Sequence, residues 1–147
     1  MNEAFRDQLL SGWQGDCPCC GRYAQLYRRR LHTTVCVQLI KLYKIGGADE
    51  YFHSTKVIPK GMGAAGDFTK AKYWGLIVEL PPQGDQKSSG HWKLTRTGVE
   101  FVRNEVGIPE WAIVYDDRVL RYEGKTVRIS EAIKKKFDYE EVMQAVC

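Results

Sequence analysis

Cysteine and histidine residues near the N-terminus have the types and the spacing of a metal site. Two residues separate Cys17 from Cys20 in "CPCCGR", eleven separate Cys20 from His32, and three separate His32 from Cys36. Thiolate sulfur and imidazole nitrogen are the ligands that tetrahedral Zn²⁺ accepts in proteins. The spacing therefore predicts a zinc site formed by Cys17, Cys20, His32 and Cys36, with Zn²⁺ as the only expected cofactor.

The same residues admit two other interpretations. Cys36 falls at helical spacing with Leu39, Ile40 and Tyr43, so it can be a buried cysteine of an apolar stripe instead of a ligand. The Pro- and Gly-containing "CPCCG" can form a turn without a metal, and no thioredoxin-like strand and helix surround it, which disfavours redox chemistry. The zinc site, the metal-free turn and the buried core cysteine remain open alternatives.

Enzymatic chemistry is not expected from this chain. His32, His53 and His91 fall in different predicted elements, and no sequence context pairs any of them with a Cys or Ser nucleophile. The glycine-rich "KGMGAAGD" lacks the Lys-Ser or Lys-Thr that completes a phosphate-binding loop. Asp116 and Asp117 fall at a predicted hairpin, where turn chemistry accounts for both carboxylates. We therefore expect a non-enzymatic protein.

The charge of the chain is mildly basic and unevenly distributed. The net charge is +4 with a pI near 8.8, and "YRRR" and "IKKK" concentrate the positive charge. Such runs suit the phosphates of nucleic acids, although they can also be ordinary solvated faces. Nucleic acid is therefore one partner class that the composition allows.

The composition predicts a soluble domain of the cytoplasm. With 147 residues the chain can bury a hydrophobic core, and no apolar run reaches the roughly 20 residues that span a bilayer. We expect no membrane partner. The stretch "MNEAFRDQLLSGW" lacks the basic and apolar regions of a secretory signal, and five cysteines, an odd number, argue against a disulfide framework.

Three segments of an α+β fold are predicted along the chain. Residues 1–32 contain an N-terminal helix, a cysteine knuckle and a strand, and residues 33–105 form the core. Residues 106–147 add a β-hairpin through Asp116 and Asp117, a possible third strand "TVRI" and a final helix capped by Ser130. This helix either packs on its own domain or forms a homodimer.

The core segment alternates helices and strands. One helix is capped by Thr33 or Thr34 and ends at the Gly46-Gly47 pair, and a second is capped by Asp67 and ends at Gly75. The strands "LIVEL" and "HWKL" flank the polar tip "PPQGDQKSSG". Thr95 caps the next helix, residues 96–105.

The motifs "YWGLI" and "SGHWKLTRTGVEFV", in this order of elements, resemble the winged helix-turn-helix superfamily, in particular bacterial regulators of the MarR and PadR kind. The resemblance covers Thr33 to Glu105, about half of the chain. It implies a winged-helix core that binds double-stranded DNA through the helix 67–74 and through the wing at residues 81–90.

The resemblance also implies which residues contact DNA. On the helix, the residues opposite the apolar side are Thr69, Lys70, Lys72 and Tyr73. They can donate hydrogen bonds to the major groove and to phosphates, but without Arg or Asn they favour weak sequence specificity. On and beside the wing the expected contacts are Lys87, Ser88, Ser89, His91, Lys93 and Arg96.

The whole chain, including "CPCCGR" and "VYDDRVL", looks similar to small proteins of unknown role encoded by bacteriophages. This resemblance implies a phage-encoded regulator that acts in the cytoplasm of a bacterial host. The alternative is a phage protein that binds and inhibits a host enzyme or defence complex. Its anchors would be the aromatic residues that interfaces favour, namely Trp13, Tyr23, Tyr27 and Trp111.

Overall fold

The computed structural model describes residues 3–11, 14–16, 23–24, 26–58, 65–133 and 143. Within these ranges the chain is α+β with antiparallel sheets, as the sequence predicts at this level. Cys17 and Cys20, residues 60–64 of the glycine-rich stretch and most of the predicted C-terminal helix lie outside the described residues.

The helices follow the predicted order. α2 begins at Thr33, so His32 is its N-cap residue and the cap predicted at Thr33 or Thr34 is wrong; the helix ends before Gly46, which adopts a φ of +108°. The Thr95 hydroxyl accepts a hydrogen bond from the Gly98 N–H at 3.0 Å, which confirms its role as an N-cap. The helices are α1 (Glu3–Leu10), α2 (Thr33–Lys44), α3 (Ala65–Thr69), α4 (Arg96–Val102) and α5 (Ile129–Ile133), with 3-10 helices at Ser54–Lys56 and Lys70–Trp74.

Three further predicted helix boundaries are wrong. α3 begins at Ala65, so Asp67 lies inside its first turn instead of capping it. α4 ends at Val102 because Asn104 adopts the left-handed conformation (φ +63°) and breaks the helical hydrogen bonds. α5 begins at Ile129, so Ser130 is a helical residue and not its cap.

The strands form one two-stranded and two three-stranded antiparallel sheets in the described part of the chain. The smallest pairs β1 with β2, the central sheet has the order β4–β6–β5, and the third has the order β3–β7–β8. The strands are β1 (Gly15–Asp16), β2 (Tyr23–Ala24), β3 (Tyr27–Arg30), β4 (Phe52–His53), β5 (Ile77–Glu79), β6 (His91–Leu94), β7 (Ile108–Tyr115) and β8 (Arg118–Val127).

The central sheet places the two strands predicted around the polar tip side by side. β5 and β6 pair from Ile77 opposite Leu94 to Glu79 opposite Trp92, and residues 80–90 connect them. At the other side of β6, β4 pairs through Phe52 and His53. The 80–90 loop therefore projects from one end of this sheet.

The third sheet joins the two ends of the chain. β3 from the first predicted segment pairs with β7 from the last, with Arg30 opposite Trp111. The hairpin between β7 and β8 turns at Asp116 and Asp117, whose φ angles of +49° and +62° are those of a type I′ turn, as predicted. The predicted third strand "TVRI" is wrong, because Thr126 continues β8 opposite Pro109.

The core lies between α2, the helices of residues 65–74, the central sheet, β7 and α5. Cys36, Leu39 and Ile40 of α2 are fully buried in it, as the predicted apolar stripe requires. A close approach fixes Gly98, because a Cβ there would lie 2.0 Å from the backbone oxygen of Leu76. Only glycine therefore lets α4 pack against the start of β5 at this distance.

Candidate nucleic-acid interface

The residues 65–74, α3 followed by the 3-10 helix Lys70–Trp74, are called here the 65–74 segment. Phe68 and Ala71, predicted on its apolar side with Gly75, are buried together with Trp74, which was predicted to flank them, whereas Gly75 is exposed. The Trp74 indole N–H donates to the Pro109 carbonyl at 2.8 Å, which fastens the segment to β7. Gly75 ends the segment in the left-handed conformation (φ +68°), as predicted.

The opposite side of the segment contacts the β7–β8 hairpin, which the sequence did not predict. Lys72 Nζ lies 3.0 Å from a carboxylate oxygen of Asp117, and the Tyr73 hydroxyl donates to the other oxygen at 2.8 Å. The Tyr122 hydroxyl donates to the backbone oxygen of Tyr73. Lys72 and Tyr73 therefore point towards a hairpin turn whose carboxylate competes for them with any phosphate.

The contact shifts the pKa of Tyr73 and the pKa of Asp117. Partial burial and the hydrogen bond to Asp117 raise the pKa of Tyr73 to about 12. Burial alone would raise the pKa of Asp117, but hydrogen bonds from Lys72 and Tyr73 outweigh it and hold this pKa below its ordinary value. Near neutral pH the hydrogen bond between Tyr73 and Asp117 therefore joins a neutral phenol to a carboxylate.

The remaining candidates of the segment are Thr69 and Lys70. Thr69 is partly buried, and Lys70 Nζ lies 3.1 Å from a carboxylate oxygen of Asp67, three residues before it. This pair is half-exposed, so it holds Lys70 only weakly.

The 80–90 loop is stabilised by its own serines. The Ser88 hydroxyl donates to the Glu79 carboxylate, and the Ser89 hydroxyl donates to the Leu80 carbonyl. These bonds fix both sides of the loop near β5, which gives the two serines a structural role that the sequence did not indicate. Lys87 is exposed at the loop and has no ion pair with any described residue, so its charge faces solvent.

Three more candidates follow the loop along β6 and into α4. The His91 Nδ1 lies 2.8 Å from the Ser89 carbonyl, and Lys93 Nζ lies 4.9 Å from the centre of the Tyr51 ring. Arg96 is almost wholly exposed and makes a loose 3.8 Å contact with Glu100. Lys87, Lys93 and Arg96 thus form a set of accessible cations along one loop, strand and helix.

The described members of the predicted zinc site lie in different environments. Cys36 is fully buried in the core, and burial raises the pKa of its thiol to about 12, whereas His32 is exposed. The interpretation of Cys36 as a core cysteine is confirmed. The described residues contain no group of three or more His, Cys, Asp or Glu suited to a metal. Because Cys17 and Cys20 lie outside those ranges, zinc binding stays a prediction.

One basic cluster gains partners that sequence reasoning missed. The guanidinium groups of Arg28 and Arg30 lie 4.4 and 5.8 Å from the centre of the Trp111 ring. The sequence marks "YRRR" as basic, but the pairing of β3 with β7 that brings Trp111 to it joins distant parts of the chain. An alternating Arg-x-Arg strand was the only local signal.

Comparisons of the chain with protein-family models, with curated proteins and with solved structures give no match. The role of each residue therefore rests on its own contacts. None of the described helices is long and apolar enough to cross a lipid bilayer.

Proposed function

We propose that the protein is a non-enzymatic winged-helix protein that binds double-stranded DNA. The observation that carries the proposal is the order of elements in the core: α2, β4, a 3-10 turn, the 65–74 segment, β5, an exposed loop and β6. The exposed loop that connects the paired strands β5 and β6 is the part of the chain that the resemblance would make the wing. This order of elements supports the proposal.

The accessible cations suit the phosphate backbone more than the base edges. Lys87, Lys93 and Arg96 are the candidates without a close carboxylate partner, and phosphate contacts position a protein without reading sequence. Lys72 and Tyr73 contact Asp117, so they reach DNA only if that contact opens. We therefore propose weak sequence specificity, with affinity supplied by the wing.

A salt titration of binding to a short duplex tests this surface. Each neutralised phosphate contributes about 0.9 to the slope of log affinity against log salt concentration. Lys87→Glu should lower the affinity. It should also reduce the magnitude of this slope by about 0.9, the contribution of one phosphate contact. The result expected for Lys70→Glu has the same direction.

The control for charge is Lys44→Glu. Lys44 ends α2 three residues before Gly47, and the Gly47 carbonyl accepts a hydrogen bond from the Leu94 N–H. Lys44 therefore lies near the end of β6 that is away from the wing. This variant changes the net charge by the same amount. If Lys44→Glu and Lys87→Glu weaken binding equally, the wing makes no specific contact, and the proposal fails.

A second candidate function is binding to a protein, such as a host enzyme or defence complex. It is favoured by Tyr27 and Tyr122, which are about half exposed although both are large aromatic residues. Trp111, a predicted anchor, instead seats Arg28 and Arg30. Purification that recovers one stoichiometric protein, without nucleic acid and without binding to heparin, would favour this function over DNA binding.

We also propose that the protein is a phage-encoded regulator that acts in the bacterial cytoplasm. We propose further that it binds zinc through Cys17 and Cys20 and forms a homodimer through its C-terminal helix. Elemental analysis of the purified protein tests zinc binding. About one zinc per chain would support the site, and trace amounts would contradict it. Light scattering tests the dimer.

A further inference from the structure

A cavity of about 740 Å³ opens beside β3, at a distance in sequence from the wing. Residues of β3, of the first turn of α2, of β7 and β8 and of α5 line it, together with Lys70. Its volume lies in the range of pockets that hold a nucleotide-sized ligand. No residue of the 80–90 loop lines it, so the cavity is separate from the proposed wing contacts.

The lining of this cavity is strongly cationic. Two carboxylates, Glu110 and Glu131, line it together with five Arg and Lys residues, of which Lys70 also pairs with Asp67. Glu131 also accepts a hydrogen bond from the Arg128 N–H at 3.3 Å, which directs its carboxylate to the start of α5. A cavity with this excess attracts an anion. The cations are Arg28, Arg29, Arg30, Lys70 and Lys125.

Trp111 holds two of these cations before any ligand arrives. Arg28 and Arg30 alternate along β3 and both lie over its ring, at 4.4 and 5.8 Å. Stacked guanidinium groups keep their planar donors directed outwards, and such preorganisation lowers the entropic cost of binding. Arg30 forms no ion pair with a described residue, and Arg28 has only a 3.8 Å contact through Nε with Glu123, which Arg121 also engages.

One further feature favours an anion at this place. The N-terminal end of α2 lies at the cavity through His32 and Thr33, and His32 makes no side-chain cap there. An anion would interact favourably with this end, because a helix N-terminus carries partial positive charge. The Arg29 side chain lies on the opposite face of β3 from Arg28 and Arg30, with its guanidinium 4.9 Å from the centre of the Tyr27 ring, so it does not contribute to this contact.

We infer that this arginine cavity binds a phosphate ester, either in a nucleic-acid strand or in a free nucleotide. Arg28 and Arg30 hold the phosphate oxygens through their paired N–H donors, as guanidinium groups do with phosphate. Lys125 supplies a further charge from β8. The inference does not rest on DNA binding by the wing.

Calorimetric titration of the full chain with inorganic pyrophosphate, thymidine monophosphate and a short DNA duplex tests the inference. The double variant Arg28→Gln/Arg30→Gln should lower the affinity for every bound probe by about tenfold or more, because charged donors are lost. The matched control is Arg103→Gln, a half-exposed arginine that also has a single contact to a glutamate, Glu105. It should leave affinity unchanged.

The outcomes separate the two sources of the phosphate. If duplex DNA displaces bound pyrophosphate, the ligand is a nucleic-acid strand. If duplex DNA does not displace bound pyrophosphate or nucleotide, the ligand is a free nucleotide. Lys125→Gln, at an exposed strand position, repeats the test if the double variant does not fold. Absence of binding by all three probes, or equal affinities in wild type and both cavity variants, would overturn the inference.

The test also distinguishes this cavity from the wing. If Lys87→Glu abolishes duplex binding while pyrophosphate binding persists, both proposals stand separately. If no variant of the wing affects duplex binding but the cavity variants do, the wing proposal fails and the cavity inference stands.

Discussion

The contact of Asp117 with Lys72 and Tyr73 predicts a specific effect of Asp117→Asn. Asp117 adopts a left-handed conformation (φ +62°), which asparagine tolerates as well as aspartate does. The substitution therefore changes the charge and not the turn. Asp116→Asn is the matched control, since Asp116 has the same kind of backbone conformation (φ +49°) and no side-chain contact with a described residue.

The magnitude follows from the exposure of the partners. The side chains of Asp117 and Lys72 are 63% and 37% exposed, so their ion pair contributes about 0.2–1 kcal/mol to stability. The 2.8 Å hydrogen bond from Tyr73 to the Asp117 carboxylate also contributes to stability. Asp117→Asn loses only part of this contribution, because asparagine still offers an uncharged acceptor oxygen. Asp117→Asn should lower the free energy of unfolding by about 1 kcal/mol.

Urea denaturation at low and high salt measures this effect. The loss for Asp117→Asn should shrink at high salt, because the ion pair is half-exposed. The pKa of Asp117 is lower in the folded protein, so the contact stabilises the fold above the unfolded pKa, and this stabilisation is lost as pH falls through the folded value. The difference between wild type and Asp117→Asn should therefore disappear in acid.

The control decides the interpretation. Asp116→Asn should change the free energy of unfolding by no more than a few tenths of a kcal/mol, as roughly expected for a surface substitution. Equal losses for Asp116→Asn and Asp117→Asn, or a loss that persists unchanged in acid, would refute the role assigned to the Asp117 contact.

Three further predictions concern other parts of the fold. Gly98→Ala should lower the free energy of unfolding in urea by about 1–3 kcal/mol, because the new Cβ would clash with the backbone oxygen of Leu76. Thr97→Ala in the same helix should not have this effect, and equal losses for the two variants would contradict this packing. Cys36 should resist iodoacetamide until the protein is unfolded, as peptide mapping would reveal, and native labelling would contradict its burial. The free energy of unfolding of wild type should fall relative to that of Tyr73→Phe between pH 10 and about 12. The pKa of Tyr73 is raised in the folded protein, so the phenol ionises first in the unfolded chain, which favours unfolding. A difference in urea stability that stays constant over this range would refute this.

Local patterns predicted the elements of the core well. The apolar spacing of α2, the glycine that ends the 65–74 segment and the Thr95 cap depend on neighbours within a few residues. The two aspartates of the hairpin turn were predicted for the same reason. Periodicity and capping are local signals, so one sequence is enough to find them.

Contacts between distant segments could not be predicted. Nothing near Lys72 in the sequence indicates Asp117, because the packing of the 65–74 segment on β7 and its hairpin brings these two together. Nothing near Arg30 indicates Trp111, because the pairing of β3 with β7 brings them together. The predicted contact surface therefore included Lys72 and Tyr73 and omitted the arginines of β3. The helix starts predicted from caps at Asp67 and Ser130 were wrong, because α3 begins at Ala65 and α5 at Ile129, so both residues lie inside the first turn.

The pairing of β3 with β7 also has a consequence for how the chain folds. Tyr27 pairs with Val114, so β3 leaves the ribosome long before its partner strand has been synthesised. Contacts of such high sequence separation form late, and an unpaired strand can meanwhile associate with other chains. Three consecutive arginines oppose that association by charge repulsion. The residues that surround the cavity in the folded protein would thus also keep the nascent chain soluble.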